Sequence, residues 1–510
     1  MAAMQESFRD IRESGSPGEI ALRALFVLLV LYAVSYPIYA LYLHPLRSYP
    51  GPRLSAITRI PYWVACIRGY QVRWMTRQHA RYGPTVRFGP NDVSFTEAQA
   101  WRDIFTVSKG RRENGKELRF HGPSANGVPH MVTEPDAARH AAVRRVFSPA
   151  FSEQSLRRQE PLFQRYADRM LACARRGVGG GGGSAPDMTA LFDFATFDIM
   201  AEFTFGESLG MLESGRYSDW VAMVFSAVKV LPTMQMIEFY SLSRNLFRLF
   251  EPGFVRKMRL DHFDHTVTRV DKRLREGSDQ PDLWNLVEES GVLSPGEIYA
   301  NAELFMAAGT ETTSSLLTGL TYYLVRNPDK MKNLTDEIRG RFSSNEEITF
   351  EALSKLEYLN ACIREGLRVF PPVPSAIPRE VAEGGNVIMG KWLPGGTRVS
   401  VHPTATNRSP ANFRNPDEFV PERWLGDPDY RDDVRDAHQP FSLGPRNCLG
   451  LNMAWHEMRL LLAKLIFHFD ISSDVGPEWR DQDVYVLWHR KPLVCRLKDV
   501  SPTQKHVSCL

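Results

Sequence analysis

The stretch FSLGPRNCLG, Phe441 to Gly450, sets one cysteine, Cys448, at the mouth of the helical pattern LGLNMAWHEMRLLLAKLIFHF. A cysteine there meets unpaired amide N–H groups and the positive end of the helix dipole, which favour the metal-binding thiolate. Gly444 and Gly450 let the backbone approach something large and flat. Arg446 adds a cation two residues from the sulfur. Taken alone, Cys448 reads better as a buried cysteine beside a tight turn. A second constellation is Ala308-Gly309-Thr310-Glu311-Thr312-Thr313, flanked by LFMAAG and SSLLTGL. A carboxyl group in apolar company is costly unless it is hydrogen-bonded or chemically used, and Gly309 among threonine hydroxyls marks a place where a helix can distort. The plainer alternative is a solvated stripe on an amphipathic helix. Glu365 and Arg368, three apart, share a helix face and can pair, as many such pairs on solvated helices do.

These residues need elements to hold them. The longest predicted helix begins at Ser294-Pro295-Gly296-Glu297, a capping box with Pro at the first helical position. It runs to about Arg326, before Asn327-Pro328 stops it, and at that length spans ~48 Å. Helical patterns dominate after about residue 97, with strand-like runs at Thr85 to Thr96 and Val387 to Val401. The tract GVGGGGGS, Gly177 to Ser184, matches G-x-G-x-x-G at Gly177, Gly179 and Gly182. That fingerprint requires a buried strand before it, whereas RYADRMLACARR favours helix. The tract is therefore predicted to be a flexible surface linker.

The cysteine string resembles the haem-ligand signature of the cytochrome P-450 family, Phe-x-x-Gly-x-Arg-x-Cys-x-Gly, with its fixed positions matched at Phe441, Gly444, Arg446, Cys448 and Gly450. Glu365-Gly-Leu-Arg368 is similar to the family's Glu-x-x-Arg, and Pro421-Glu422-Arg423-Trp424 to its Pro-Glu-Arg-Phe. Residues 308–313 resemble its Ala/Gly-Gly-x-Asp/Glu-Thr-Thr. The resemblance implies a mainly α fold with small β-sheets, in which heme b (iron protoporphyrin IX) lies between the long central helix and the cysteine loop. It implies Cys448 as the proximal thiolate, favouring O–O cleavage, and Arg446 against a haem propionate. It makes Glu311 and Thr312 a proton relay, and Glu365, Arg368 and Arg423 the architecture behind the cysteine loop. His140 and Arg144 match a Trp/His-x-x-x-Arg helix, with His140 where Trp is commoner, and Arg379 matches another haem-facing arginine. The whole chain is covered, and SYPGPRLSAITRIPYW and GKWLPGGTRVSV look like fungal microsomal members, often found in secondary metabolism.

The chain has 510 residues, 24% charged and 43% hydrophobic, with 62 basic and 59 acidic side chains giving a net charge of +3. That balance offers no concentrated basic footprint for a nucleic acid. Six cysteines at 66, 173, 362, 448, 495 and 509 show neither C-x-x-C nor zinc spacing. Residues 24–43 (ALFVLLVLYAVSYPIYALYL) carry no charge and are long enough for the ~30 Å core of a bilayer. Eight arginines and no acid lie between His44 and Asn91, so the body is expected on the cytoplasmic side. The predicted organisation is a lumenal segment 1–23, a transmembrane anchor 24–43, a Pro/Gly hinge 44–53 and a catalytic domain 54–510, in the endoplasmic reticulum membrane. By the resemblance, electrons come from a separate NADPH-cytochrome P-450 reductase.

An apolar small-molecule pocket is expected beneath the 120–130 loop, the 222–236 segment, Ala307–Ala308, Val373 to Ile377 and residues near Leu487. A haem-thiolate isomerase or dehydratase is the rival enzyme class; the intact Glu311-Thr312 pair speaks against it. A haem sensor or scaffold has no broken motif or signalling domain in its favour.

Overall fold

Residues Pro17 to Leu43 form one long apolar helix with little of its surface covered. In the computed structural model, which describes residues 17–107, 112–120, 124–177, 185–276 and 283–500, α1 (Pro17–Ile38) passes through Pro37 into a π-helical turn at Tyr39–Leu43. Proline lacks the amide that would continue the ladder, so the turn widens just after it. The helix begins at Pro17, ahead of the expected Ala24. The Arg87 guanidinium donates to the carbonyls of Ala40 (2.9 Å) and Pro90 (2.7 Å), tying the end of the apolar helix to the body. The chain leaves helix at His44 and re-enters it at Arg53, across the predicted hinge.

Five short strands form the main sheet: β1 (Thr85–Gly89), β2 (Asp92–Phe95), β3 (Gly115–Lys116), β4 (Arg379–Glu380) and β5 (Arg398–Val401), in the order β1-β2-β5-β4-β3. Only the β2–β5 pair is parallel. In the antiparallel β3–β4 pair Lys116 stands opposite Arg379, which brings two cations together. Both strand-like runs of the sequence fall on this sheet or on the hairpin Asn386–Ile388/Lys391–Leu393 beside it.

The body is helical. The helices that matter for the site are α2 (Ala137–Phe147), α3 (Met188–Phe205), α4 (Ser241–Phe250), α5 (Pro295–Arg326), α6 (Glu357–Val369) and α7 (Leu451–His468). Almost every residue of α3 is buried, as expected of a helix apolar on all sides, and it packs along α5. The predicted capping box is present: Glu297 N donates to Ser294 Oγ (3.3 Å) and Ser294 N to Glu297 Oε2 (2.9 Å). Gly309 does not interrupt α5. A Cβ there would lie 2.6 Å from Met200 Sδ, so this glycine lets α3 and α5 touch, in place of the expected distortion. Gly177 ends its helix, and the rest of the glycine tract lies outside the described residues.

Candidate active site

The cysteine loop is held by its own backbone and by one arginine. Cys448 N donates to Phe441 O (2.9 Å) and Asn447 N to Gly444 O (3.1 Å). Gly444 has φ +76°, and a Cβ on it would lie 2.1 Å from Phe105 O, so only glycine fits. From α2, Arg144 donates Nη1 to Asn447 O (2.7 Å) and Nη2 to Asn447 Oδ1 (2.8 Å), clamping the residue beside the cysteine. At Gly450, by contrast, a Cβ would meet nothing within 4 Å, although the residue lines the cavity. The free space expected beside a flat group is found there, not at Gly444.

Helix α7 starts at Leu451, so Cys448 precedes it instead of opening it. Burial pushes its thiol up; the Gly450 amide and Arg144 pull the other way with less effect. The residue's accessible surface belongs to a side chain that lines the cavity, while the protein around it desolvates the sulfur.

That cavity encloses about 320 Å³ between the cysteine loop and the middle of α5, where Ala308, Gly309, Thr312 and Thr313 line it. Its cationic lining consists of Lys116, Arg144, Arg379 and Arg446, with His140 among them. Burial, then Arg379 and Arg446, lower Lys116 to about 6. Burial, then Arg446, lowers Arg379 to about 10. Arg379 Nε and Nη1 are buried with no hydrogen-bond partner. Unpaired buried cations are expensive, so this lining calls for anions. The two propionates of an iron protoporphyrin meet that demand, and Cys448 supplies a donor on the same cavity; the residues present fit the group. Replacing Arg379 by Met should therefore speed haem release to an acceptor protein several-fold, while the cofactor-free variant melts no lower than wild type. Unchanged release would remove Arg379 from haem binding.

Not every sequence expectation lands in this cluster as drawn. Arg446 donates Nε to Glu113 (2.8 Å), Nη1 to Glu134 O (2.6 Å) and Nη2 to Pro135 O (3.1 Å). Its guanidinium is thus engaged with protein acceptors, where a propionate was expected. His140 is buried and lowered to about 4 by burial and the surrounding cations, so it is a neutral imidazole.

The Glu311–Thr312 pair divides. Thr312 lines the cavity and its Oγ1 donates to Ala308 O at 2.7 Å. Glu311 is buried and does not line the cavity; its Oε2 accepts from Arg490 (2.7 Å), which also donates to Asp193 on α3 (2.8 Å). The expected apolar surroundings are instead an internal ion-pair network. Burial raises the Glu311 carboxyl to about 7 against the pull of Arg490, with Asp193 adding to the rise. Lys116, Arg490 and Asp193 were missed from sequence. Only Asp193 carried a signal, an acid inside the otherwise apolar run LFDFATF.

Behind the loop the structure brings Glu365, Arg368 and Arg423 together, with no solvent exposure. Arg368 donates to both Glu365 oxygens (2.9 and 2.7 Å), and Arg423 Nε, Trp424 Nε1 and Val420 N add bonds of 3.1, 2.9 and 2.9 Å. Of the expected pocket roof, Ala308, Val373, Ser375 and Ile377 line the cavity. Among the described residues, those of the 222–236 segment, near Leu487 and of the 120–130 loop do not, whereas Met131 and Val132, just past that loop, do.

A cysteine loop facing a long helix across a cation-lined cavity is the arrangement of a haem-thiolate enzyme. The chain belongs to the cytochrome P-450 family, whose model matches residues 59–496. It is 42% identical over 466 residues to the cytochrome P-450 monooxygenase FUM2 of Gibberella moniliformis, covering 90% of this chain and 98% of that one. It is 39% identical over 478 residues to the averantin hydroxylase of Dothistroma septosporum (92% and 90% covered). The cytochrome P-450 monooxygenase AMT3 of Alternaria alternata is 39% identical over 467 residues (90% and 95% covered). The chain is accordingly a cytochrome P-450 monooxygenase with fungal relatives of secondary metabolism.

Proposed function

We propose that this enzyme is a membrane-anchored heme b monooxygenase that places one oxygen atom from O2 on a small, largely apolar molecule of fungal secondary metabolism. The carrying observation is that Cys448 and Thr312 line one cavity with Arg379, whose buried Nε and Nη1 lack hydrogen-bond partners. When bound, the haem supplies oxygen activation and the oxidising power for attack on a C–H or C=C bond. Cys448 would be the ligand and Arg379 would pair with a propionate, whose charge would in turn favour the protonated form of Lys116. Arg144 acts through Asn447, fixing the loop that carries the cysteine. Thr312 donates its proton to Ala308 O, so its oxygen presents lone pairs to the cavity and can hold a proton-donating water there. Glu311, tied to Arg490, sets the charge behind that threonine and takes up and returns protons in concert with it. The apolar side chains Met131, Val132, Leu304 and Phe305 exclude water from the substrate.

The electron donor proposed with it, as the family resemblance implies, is an NADPH-cytochrome P-450 reductase. The test is turnover with that reductase and a panel of terpenoids, polyketides, fatty acids and aromatics, read by product mass. Incorporation of labelled oxygen from O2 supports the reading; products with no added oxygen would favour an isomerase or dehydratase. Thr312→Ala is expected to load haem normally but to divert several-fold more NADPH electrons to peroxide. Unchanged coupling would take Thr312 out of proton handling.

The anchor is proposed to cross the endoplasmic reticulum membrane once, with the catalytic body in the cytoplasm. Besides α1 and its arginine-rich flank, α4 supports lipid contact: Leu242, Leu246, Leu249 and Phe250 are exposed on one face, and its neighbour Tyr240 lies close to Tyr36 of α1. The full chain should stay in the membrane pellet after an alkaline carbonate wash, and release into the supernatant would rule out a spanning helix.

A further inference from the structure

A second, much smaller cavity of about 10 Å³ lies between the main sheet and the helix Ile60–Ile67, with Arg59, Asp92, Arg398, Ser400 and His402 in its lining. That volume has room for one water-sized particle. Ala376 and Pro378 form part of its wall, while Ser375, Ile377 and Arg379, the alternate residues of the same segment, line the cavity of the active site. The 375–379 segment is therefore a thin partition between the two.

Arg59 is 5% exposed, and its guanidinium is served unevenly. Its Cζ lies 4.8, 4.9 and 4.4 Å from the ring centroids of Tyr62, Trp63 and Phe239. Ring faces stabilise the charge, but they do not accept the N–H bonds at the edge of the guanidinium plane. Those bonds are unmet: Nε and Nη1 are buried with no hydrogen-bond partner. Nη1 comes within 3.2 Å of Asp92 Oδ1, out of line for a hydrogen bond. Asp92 is committed to Arg398, which donates Nε to Oδ1 (2.6 Å) and Nη2 to Oδ2 (2.8 Å). Arg119, whose Cζ is 5.0 Å from the Phe239 centroid, has Glu117 at 2.9 Å. Of the three arginines around this ring, Arg59 is the one without an aligned carboxylate.

His402 is 1% exposed, and neither of its ring nitrogens has a hydrogen-bond partner. Burial, then His79, lowers it to about 3, so at neutral pH one nitrogen carries an N–H and the other a lone pair. Three buried N–H groups thus lack an acceptor, against one acceptor that lacks a donor. Leaving buried donors unmet is costly. A water accepts from only two of them, whereas a monatomic anion accepts from all three and also answers the charge of Arg59. The volume excludes carboxylates and phosphates.

We propose that this cavity is a halide site, which takes one chloride ion on Arg59 Nε, Arg59 Nη1 and the N–H of His402. The site goes beyond the oxygenase reading and does not depend on it. Because Asp92 is neutralised by Arg398, its carboxylate does not bar the ion. The bound ion ties the start of the helix Ile60–Ile67 to His402 at the end of β5, and so stiffens the 375–379 partition from behind.

The test uses the purified full-length enzyme at constant ionic strength, with sodium gluconate exchanged stepwise for sodium chloride. The melting temperature should rise by several degrees and then saturate, as a ligand of the folded state alone requires, and bromide should act likewise. In crystals grown in bromide, an anomalous-difference peak should stand between Arg59 and His402. Arg59→Met should flatten the chloride response and lose the peak. If Arg59→Met does not fold, His402→Phe serves, since it removes one donor and should weaken the response several-fold. A melting temperature indifferent to the exchange, a response that the folded variant retains in full, or the absence of the peak overturns the halide site and leaves an ordered water as the occupant.

Discussion

Cys448→Ser is expected to bring turnover to background and to abolish the thiolate signature of the reduced, carbon-monoxide-bound enzyme, while the chain stays folded. The selectivity of that effect follows from how the loop is built. Its turn is closed by Cys448 N on Phe441 O, and Arg144 grips Asn447, not the cysteine. Neither contact uses the sulfur, so serine inherits the loop geometry. What it does not inherit is an ionisable soft donor: a hydroxyl is far harder to deprotonate than a thiol and donates less electron density to iron. The environment gives the substituted oxygen little help, since burial already outweighs the Gly450 amide and Arg144 at this position. A bound iron would itself favour the deprotonated sulfur. A Cys448→Ser variant that kept the thiolate spectrum, or kept turnover, would show that another group holds the iron.

Legibility from sequence followed how local each determinant is. The bounds of α5 were readable because Ser294, Pro295 and Glu297 carry the whole start signal within one turn, and Asn327-Pro328 the stop. The sites of Cys448, Glu365 and Arg368 were readable because spacing along one loop or one helix face defines them. Partner choice was not. Glu311 and Asp193 share Arg490, and Arg446 finds Glu113, through contacts that span large stretches of chain, and no periodicity encodes such pairings. Lys116 entered the cation group only because β3 pairs with β4, a two-residue strand that propensity cannot detect.

Glu365→Ala should destabilise the chain by ~3–5 kcal/mol, because it strands the buried Arg368 and takes one of two carboxylates from the buried Arg423. With typical net stabilities of ~5–15 kcal/mol, that is a third or more of the total. Arg368 and Arg423 would keep their carbonyl partners: Asn407, Pro416 and Glu418 for the first, Arg414 for the second. They would lose the only carboxylate that touches both, although Asp433 still pairs with Arg423. Trp424 Nε1 and Val420 N would lose their acceptor as well. The damage reaches the chemistry through sequence proximity: Val420, Arg423 and Trp424 lie on the segment that leads into the cysteine loop, and Trp424 packs its ring against His438, which lines the cavity. Haem content per chain should therefore collapse along with the melting temperature. Glu365→Gln separates charge from shape, since it keeps one oxygen for Val420 and one nitrogen that faces Arg368 with the wrong polarity; it should fall between alanine and wild type. Normal haem loading and wild-type thermal stability in Glu365→Ala would show that the buried triad is a bystander to the cysteine loop.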